Sequence, residues 1–331
     1  MAIKVAINGF GRIGRMVARV IAQTKGIEIV HINDLTDPET LAHLFKYDSI
    51  QGQFKGQVVA TQNSITINGK KISISNEREI SALPWQAKKI DVVIESTGVF
   101  RDAKKLAQHL KSGAKKVILT VPAKDKIDYT VALGVNDKGL KKTHCIISNA
   151  SCTTNCLSPM VYVLQKEFGV KKAIMSTIHS YTADQRLVDA PHSDLRRARA
   201  AALNIIPTTT GAAITTAVTI PELKDKIDGL AFRVPTACGS VTDLSAVLKK
   251  STTIEKINAA YKKAANTYLK GILEYSTEPL VSSDIIGNSH SCIIDSQSTM
   301  VVDGDLVKIV GWYDNEWGYS CRVVDLIKKI S

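Results

Sequence analysis

Aromatic residues are scarce in this 331-residue chain, at 5% of the total, and long apolar runs are missing. No stretch approaches the roughly 18 consecutive apolar residues that a membrane helix requires, so no membrane span is expected. The N-terminus leads straight into an apolar strand pattern, without the charged leader and small-residue cleavage site of a secretory signal. A cytoplasmic protein is therefore expected. Six cysteines occur, none with disulfide-framework spacing and with no second pair at zinc-ligand spacing, which fits a reducing compartment and argues against a metal centre. The few aromatics are not interleaved with the basic residues, so the net charge of +12 does not come with a base-stacking platform, and no dedicated nucleic-acid site is expected. Most excess lysines stand in scattered pairs that read as solvated faces. Two arginine positions differ in kind: the cluster Arg196-Arg197-Ala198-Arg199, and Arg233 standing alone after an apolar run, both suited to binding anions.

What the chain does have is a cysteine placed for chemistry. In Asn149-Ala150-Ser151-Cys152-Thr153-Thr154-Asn155-Cys156 a strand (145–148) hands over to a helix whose apolar residues Leu157, Met160, Val161 and Leu164 recur at helical spacing. Cys152 falls in the first turn, where unpaired N–H groups and the helix dipole favour a thiolate, so its thiol is expected to ionise more readily than a free cysteine. Cys156, one turn on, suits neither a disulfide nor a metal clip and reads as core. His179 closes the strand pattern 173–179 and opens the polar loop Ser180-Tyr181-Thr182-Ala183-Asp184, a setting for a general base.

A second motif opens the chain. The strand Lys4-Val5-Ala6-Ile7-Asn8 runs into Gly9-Phe10-Gly11-Arg12-Ile13-Gly14, a G-x-G-x-x-G loop, then a periodic helix, then a second strand ending in Asn33-Asp34. The glycines permit a tight turn, close approach of a pyrophosphate and close helix packing, and the helix N-terminus faces the phosphates. Asp34 follows Gly14 by 20 residues, where a carboxylate accepts from ribose hydroxyls and repels a 2′-phosphate, favouring NAD over NADP.

Length and 44% hydrophobic content suit two domains. Strands at 3–8, 27–33, 91–95, 116–120 and 145–148 alternate with helices near 11–24, 37–46 and 102–112, with a hairpin turning at Asn68-Gly69. This pattern predicts an α/β fold with a Rossmann-type, doubly wound, mostly parallel sheet. Beyond Cys152 come a long helix, the strand 173–179 and an irregular polar stretch from Ser180 to Asn204. Strands near 226–234, 239–248, 290–295, 298–302 and 305–313 then predict an α+β catalytic domain with a largely antiparallel sheet. The expected organisation is 1–151 dinucleotide-binding, 152–317 catalytic, and a helix over 318–331 packing back on the first domain.

Over essentially its full length the chain resembles the phosphorylating glyceraldehyde-3-phosphate dehydrogenase family. The resemblance is carried by residues 7–14, Ala150-Ser151-Cys152-Thr153-Thr154-Asn155, Asp194-Leu195-Arg196-Arg197-Ala198-Arg199, Pro207-Thr208-Thr209-Thr210-Gly211-Ala212-Ala213, Arg233-Val234-Pro235-Thr236 and Trp312-Tyr313-Asp314-Asn315-Glu316-Trp317-Gly318-Tyr319. It implies a glycolytic NAD-dependent oxidoreductase with Cys152 as nucleophile and His179 as its base. It implies an inorganic-phosphate site from Ser151, Thr153, Arg197, Thr210 and Gly211, and a site for the C3-phosphate of glyceraldehyde 3-phosphate from Thr182 and Arg233. On the cofactor side it points to Arg12, Ile13, Asp34, Arg78, Thr120 and Asn315 beside the glycine loop, and it implies a homotetramer in which the 180–204 stretch reaches a neighbouring subunit. Ile214 departs from the family pattern, standing where many relatives carry lysine. Ala237-Cys238-Gly239 replaces a commoner Pro-Asn-Val, with no consequence legible in the sequence. Ala190 occurs in some NADP-using relatives, while Asp34, Leu35 and Pro191 match the NAD type. Two rival readings are erythrose-4-phosphate dehydrogenase, which usually lacks the 210–213 segment, and a basic surface that binds nucleic acid weakly.

Overall fold

The computed structural model describes residues 2–331, which divide into two compact units: residues up to Val131 with Gly139–Ala150 and Ser320–Ser331, and Ala132–Lys138 with Ser151–Tyr319.

The first unit is built as alternating strands and helices: β1 (Ile3–Asn8), α1 (Arg12–Ala22), β2 (Ile27–Asn33), α2 (Pro38–Lys46), β3 (Val58–Thr61), β4 (Ser64–Ile67), β5 (Lys70–Ser75), α3 (Trp85–Lys88), β6 (Val92–Glu95), α4 (Ala103–Lys111), β7 (Lys116–Leu119), β8 (Tyr129–Thr130) and β9 (Ile146–Ser148). The sheet order is β3-β4-β5-β2-β1-β6-β7-β9-β8, parallel throughout except for the β3-β4-β5 meander. The apolar runs of β1, β6 and β7 are buried on both faces, as parallel strands covered by helices require. Asn68 and Gly69 both take positive φ between β4 and β5, the twist of a two-residue hairpin turn.

The second unit holds α5 (Cys152–Glu167), β10 (Val170–Ser180), β11 (Ile206–Thr209), α6 (Ala212–Thr219), β12 (Ile227–Val234), β13 (Ser240–Leu248), α7 (Ile254–Asn266), β14 (Leu273–Ser276), β15 (Cys292–Val302), β16 (Leu306–Tyr313) and α8 (Trp317–Ile330), the last of which runs on into the first unit's residues. The sheet order is β11-β12-β10-β13-β16-β15-β14. Four pairings are antiparallel and two, β10 with β12 and β14 with β15, are parallel, so the sheet is mixed. One face of this sheet buries α5 and α7 in an apolar cluster containing Cys156, Met160, Leu244, Tyr261 and Ile309. The two strands expected over 290–295 and 298–302 are one strand, β15, whose register against β16 shifts between Asp295 and Met300. Side chains fix that irregularity: Ser296 Oγ donates to Ser276 O at 2.6 Å and Gln297 Nε2 to Thr277 O at 2.7 Å. No helix among the described residues is long and apolar enough to cross a membrane.

Candidate active site

Ala150 takes a left-handed backbone conformation, φ 54°, and turns the chain from β9 into α5. Ser151 is the N-cap; its Oγ accepts from Thr154 N at 3.0 Å. Cys152 is thereby fixed as the first helical residue, with its Sγ 3.4 Å from Nε2 of His179 at the far end of β10. Cys156 lies in the core, its Sγ against Met160 Sδ and Gly311 O, and all six cysteines are free thiols.

The tautomer of His179 follows from counting protons. Its Nδ1 lies 2.7 Å from Ser180 O and 2.8 Å from Arg233 Nη1. Arg233 Nη1 carries two hydrogens, and these have acceptors in Ser180 O and the Thr182 hydroxyl, both at 3.0 Å. Nδ1 therefore donates to Ser180 O, and Nε2 is left unprotonated toward the sulfur. Burial, reinforced by the Arg233 charge, depresses the His179 pKa to about 3, with Ser180 O and Asp184 acting against it. The imidazole is neutral at physiological pH.

Burial also pushes the Cys152 thiol up, opposed by the Arg233 guanidinium and by hydrogen bonding from Thr153. The expected downward pull of the helix N-terminus thus meets a larger opposing contribution, and a sequence window could not weigh burial against it.

Arg233 projects from β12 beside His179 because the two strands pair in parallel with these residues in register. Arg197 comes from the irregular 180–204 stretch. Its Nε donates to Thr208 Oγ1 at 2.9 Å, its Nη2 to Thr209 O at 3.3 Å, and its Nη1 to Asp184 Oδ2 at 2.9 Å. Asp184 also accepts from the Thr182 hydroxyl, so one carboxylate joins Thr182, which Arg233 contacts, to Arg197. Its pKa falls below the usual carboxylate range, since the Thr182 bond and the two arginines outweigh burial. Thr210 and Gly211 open α6, whose N-terminus has no side-chain cap. Thr153 Oγ1 is joined to Tyr313 OH at 2.9 Å, and that phenol reaches Thr177 Oγ1 at 2.8 Å with its ring edge-on to His179.

Within the first unit the glycine loop has the shape a dinucleotide needs. A Cβ at Gly9 would lie 2.7 Å from Thr97 N, and one at Gly14 only 2.2 Å from Gly9 O, whereas the space in front of Gly11 is open. Gly11 caps α1 without a side chain, so the N–H groups there face outward. Asp34 Oδ2 accepts from Phe10 N at 2.7 Å, placing the carboxylate beside the loop. Arg12 is held by Asp48 at 3.1 Å, Ile13 is half-buried, and Thr120 Oγ1 donates to Glu95 O at 3.0 Å. Arg78 is exposed. Asn315 belongs to the second unit, unlike the other cofactor positions. Among the described residues no three His, Cys, Asp or Glu side chains gather as a metal site.

In the sequence Tyr313, Asp194 and Asp184 stand only as members of longer segments, with no feature that marks them individually. Tyr313 stands in the sequence only within the 312–319 motif, and its link to Thr153, Thr177 and His179 comes from the fold. Asp184 lies five residues from His179, and its pairing with Arg197 depends on how the loop folds back.

A family model described as the glyceraldehyde 3-phosphate dehydrogenase NAD binding domain matches residues 3–103, and one described as the C-terminal domain of the same family matches residues 151–315. Glyceraldehyde-3-phosphate dehydrogenase of Geobacillus stearothermophilus is 55% identical over 332 residues, covering 100% of this chain and 99% of the relative. That of Streptomyces coelicolor is 54% identical over 98% of both chains. Glyceraldehyde-3-phosphate dehydrogenase 2 of Bacillus subtilis is 52% identical, covering 100% of this chain and 97% of the relative. The chain belongs to the glyceraldehyde 3-phosphate dehydrogenase family.

Proposed function

We propose that the protein oxidises glyceraldehyde 3-phosphate with NAD and inorganic phosphate to 1,3-bisphosphoglycerate and NADH, in the cytoplasm, through a thioester on Cys152. The observation that carries this reading is Nε2 of His179 facing Cys152 Sγ at 3.4 Å, with Arg233 beside the same ring. The thiol proton passes to Nε2 as sulfur adds to the aldehyde carbon, and the imidazolium then donates to the alkoxide that forms. When hydride leaves that carbon, Nε2 takes back the hydroxyl proton and a thioester remains. Bound NAD supplies the hydride acceptor. Phosphate attacks the thioester carbonyl, an acyl–oxygen bond forms, and Cys152 leaves as thiolate.

Thr182 and Arg233 take the C3-phosphate, a desolvated charge-assisted contact that orients the aldehyde. Ser151, Thr153, Arg197, Thr210 and Gly211 take inorganic phosphate, with the uncapped α6 N-terminus adding its N–H groups. An entering phosphate competes with Asp184 for Arg197. The glycines Gly9, Gly11 and Gly14 receive the pyrophosphate and Asp34 the ribose hydroxyls, with Arg12, Ile13, Arg78, Thr120 and Asn315 as further residues on the cofactor side. Residues 152–317 carry the chemistry, and 318–331 return to the dinucleotide-binding domain.

Leu187, Leu195 and Leu203, all in the stretch after β10, are more than 80% exposed. Apolar exposure of that kind supports a homotetramer in which this stretch is covered by another copy. Steady-state NADH formation tests the whole reading. Rapid turnover is expected only with NAD and phosphate both present, from a species sedimenting as four chains. Equal turnover without phosphate, or equal use of NADP, would count against it.

A further inference from the structure

The strand order β2-β1-β6 reverses direction between β1 and β6, and in an open parallel sheet the loops leaving two such strands bound the crevice that receives a ligand. Those loops are 9–11 and 96–102, both within the first unit. Glu95 ends β6 and pairs in register with Asn8, which ends β1. It is fully buried, as is His109 on α4. A buried carboxylate is costly unless its oxygens are filled, and both are. Oε2 accepts from Asn8 Nδ2 at 2.6 Å and lies 3.0 Å from His109 Nε2; Oε1 accepts from Thr97 N at 2.9 Å and from the Thr97 hydroxyl.

The direction of each contact is forced. Trp85 Nε1 can only donate, so His109 Nδ1, 2.9 Å away, accepts, and the ring proton sits on Nε2 toward Glu95. The contact is a neutral donor on a carboxylate rather than an ion pair. Glu77 N donates to Asn33 Oδ1 at 2.9 Å, which leaves Asn33 Nδ2 to donate to Asn8 Oδ1 at 2.8 Å and turns Asn8 Nδ2 to Glu95. Val99 N donates to Thr97 Oγ1 at 3.1 Å, so the hydroxyl proton goes to Oε1. Ser96 ties the loops a second time, its N donating to Asn8 O at 2.8 Å and its Oγ to Gly9 O at 2.6 Å. A Cβ on Gly9 would lie 2.7 Å from Thr97 N and 2.9 Å from Ser96 C, so no side chain fits between the two loops.

We propose that Glu95 is a positioning residue that sets the separation of the two crevice loops, and that His109, backed by Trp85, holds its carboxylate in place. The group served is the pyrophosphate of the dinucleotide, so the inference rests on the reading in which the glycine loop receives it. Gly9 transmits the effect, because its carbonyl packs against Gly14 at the start of α1, where a Cβ would come within 2.2 Å of it. The adenosine end has an anchor outside the two loops, since Asp34 Oδ1 accepts from Thr36 N at 3.0 Å.

Glu95→Gln tests the tie, because no orientation of an amide there avoids setting N–H against N–H. Dissociation constants for NAD, ADP-ribose and adenosine are measured on the full chain by calorimetry. NAD and ADP-ribose are expected to weaken together by about tenfold or more, the scale for buried donors left unpaired, with adenosine within about threefold of the unaltered protein. The KM for NAD rises while kcat stays within about threefold. His109→Gln keeps an amide donor toward Glu95 and is expected to bind NAD as the unaltered protein does, whereas His109→Leu loses about tenfold. Unchanged NAD binding in Glu95→Gln, a loss shared equally by adenosine, or the same NAD binding in both His109 variants overturns the proposal. Should Glu95→Gln not fold, Thr97→Val takes its place: weaker ADP-ribose with unchanged adenosine is expected, and unchanged ADP-ribose overturns the proposal. Absence of NAD binding by the unaltered protein would instead remove the dinucleotide reading itself.

Discussion

His179 meets Cys152 with an unprotonated nitrogen because Ser180 O holds the proton on the opposite side of the ring and Arg233 opposes any further charge. The guanidinium beside that ring is assigned to the substrate phosphate, so the two arginines of the site should fail differently when removed. Arg233→Ala is expected to raise the KM for glyceraldehyde 3-phosphate at least tenfold and to spare an unphosphorylated aldehyde more. Arg197→Ala is expected to raise the KM for inorganic phosphate, leaving a single-turnover burst of NADH nearly intact while the steady state slows. An unchanged phosphate KM in Arg197→Ala together with a raised one in Arg233→Ala would exchange the two sites. Cys152 and His179 were legible in the sequence because each stands at the end of an element, where polar neighbours signal chemistry. Tyr313 was not: its hydroxyl meets Thr153 and Thr177, on other elements, only once the sheet is assembled.

At the level of elements, β2 and β5 are pinned by a histidine. His31 and Ser73 pair in register, and Asn33 pairs with Ser75, so the His31 ring lies between two hydroxyls, Nδ1 to Ser73 Oγ at 2.7 Å and Nε2 to Ser75 Oγ at 2.8 Å. Burial, with the Lys88 charge, lowers its pKa to about 4. Ser73 Oγ also donates to Val30 O at 3.1 Å and Ser75 Oγ to Asn33 Oδ1 at 2.8 Å, which fixes the two hydroxyls on either side of the ring. Because the folded pKa lies below the unfolded value, the unfolded chain binds the extra proton first as pH falls, and stability present above about 6.5 is lost down to about 4. His179 acts in the same direction and extends the window to about 3. The thermal midpoint is expected to fall steadily between pH 6.5 and 4.5, at up to about 1.4 kcal/mol per pH unit for each histidine, and less steeply in His31→Asn. A flat midpoint over that range would contradict the buried neutral assignment. The first unit's elements were readable because parallel strands buried on both faces give unbroken apolar runs separated by periodic helices. In the second unit α6, Ala212–Thr219, is a short run of alanine and β-branched residues with no period, and its helical state comes from packing on α5 and β12. Helix α7 had its signals, a Thr253 cap and Ile257, Tyr261 and Ala264 on one face, but these lay in a stretch dominated by strand patterns.

For the molecule as a whole, the first unit carries a glycine loop at a helix N-terminus without a side-chain cap, and the second a cysteine, a histidine and two arginines. The lysine pairs that make up most of the positive surplus are spread along the chain. The central claim is that an acyl group is carried on Cys152 and released by phosphate. Mixing the protein with NAD and glyceraldehyde 3-phosphate while withholding phosphate, then measuring intact mass and NADH together, tests it most directly. One NADH per chain is expected, with a matching acyl adduct that maps to Cys152, discharges when phosphate is added, and is absent in Cys152→Ser. Continuous NADH formation with no adduct, or an adduct retained in Cys152→Ser, would contradict it.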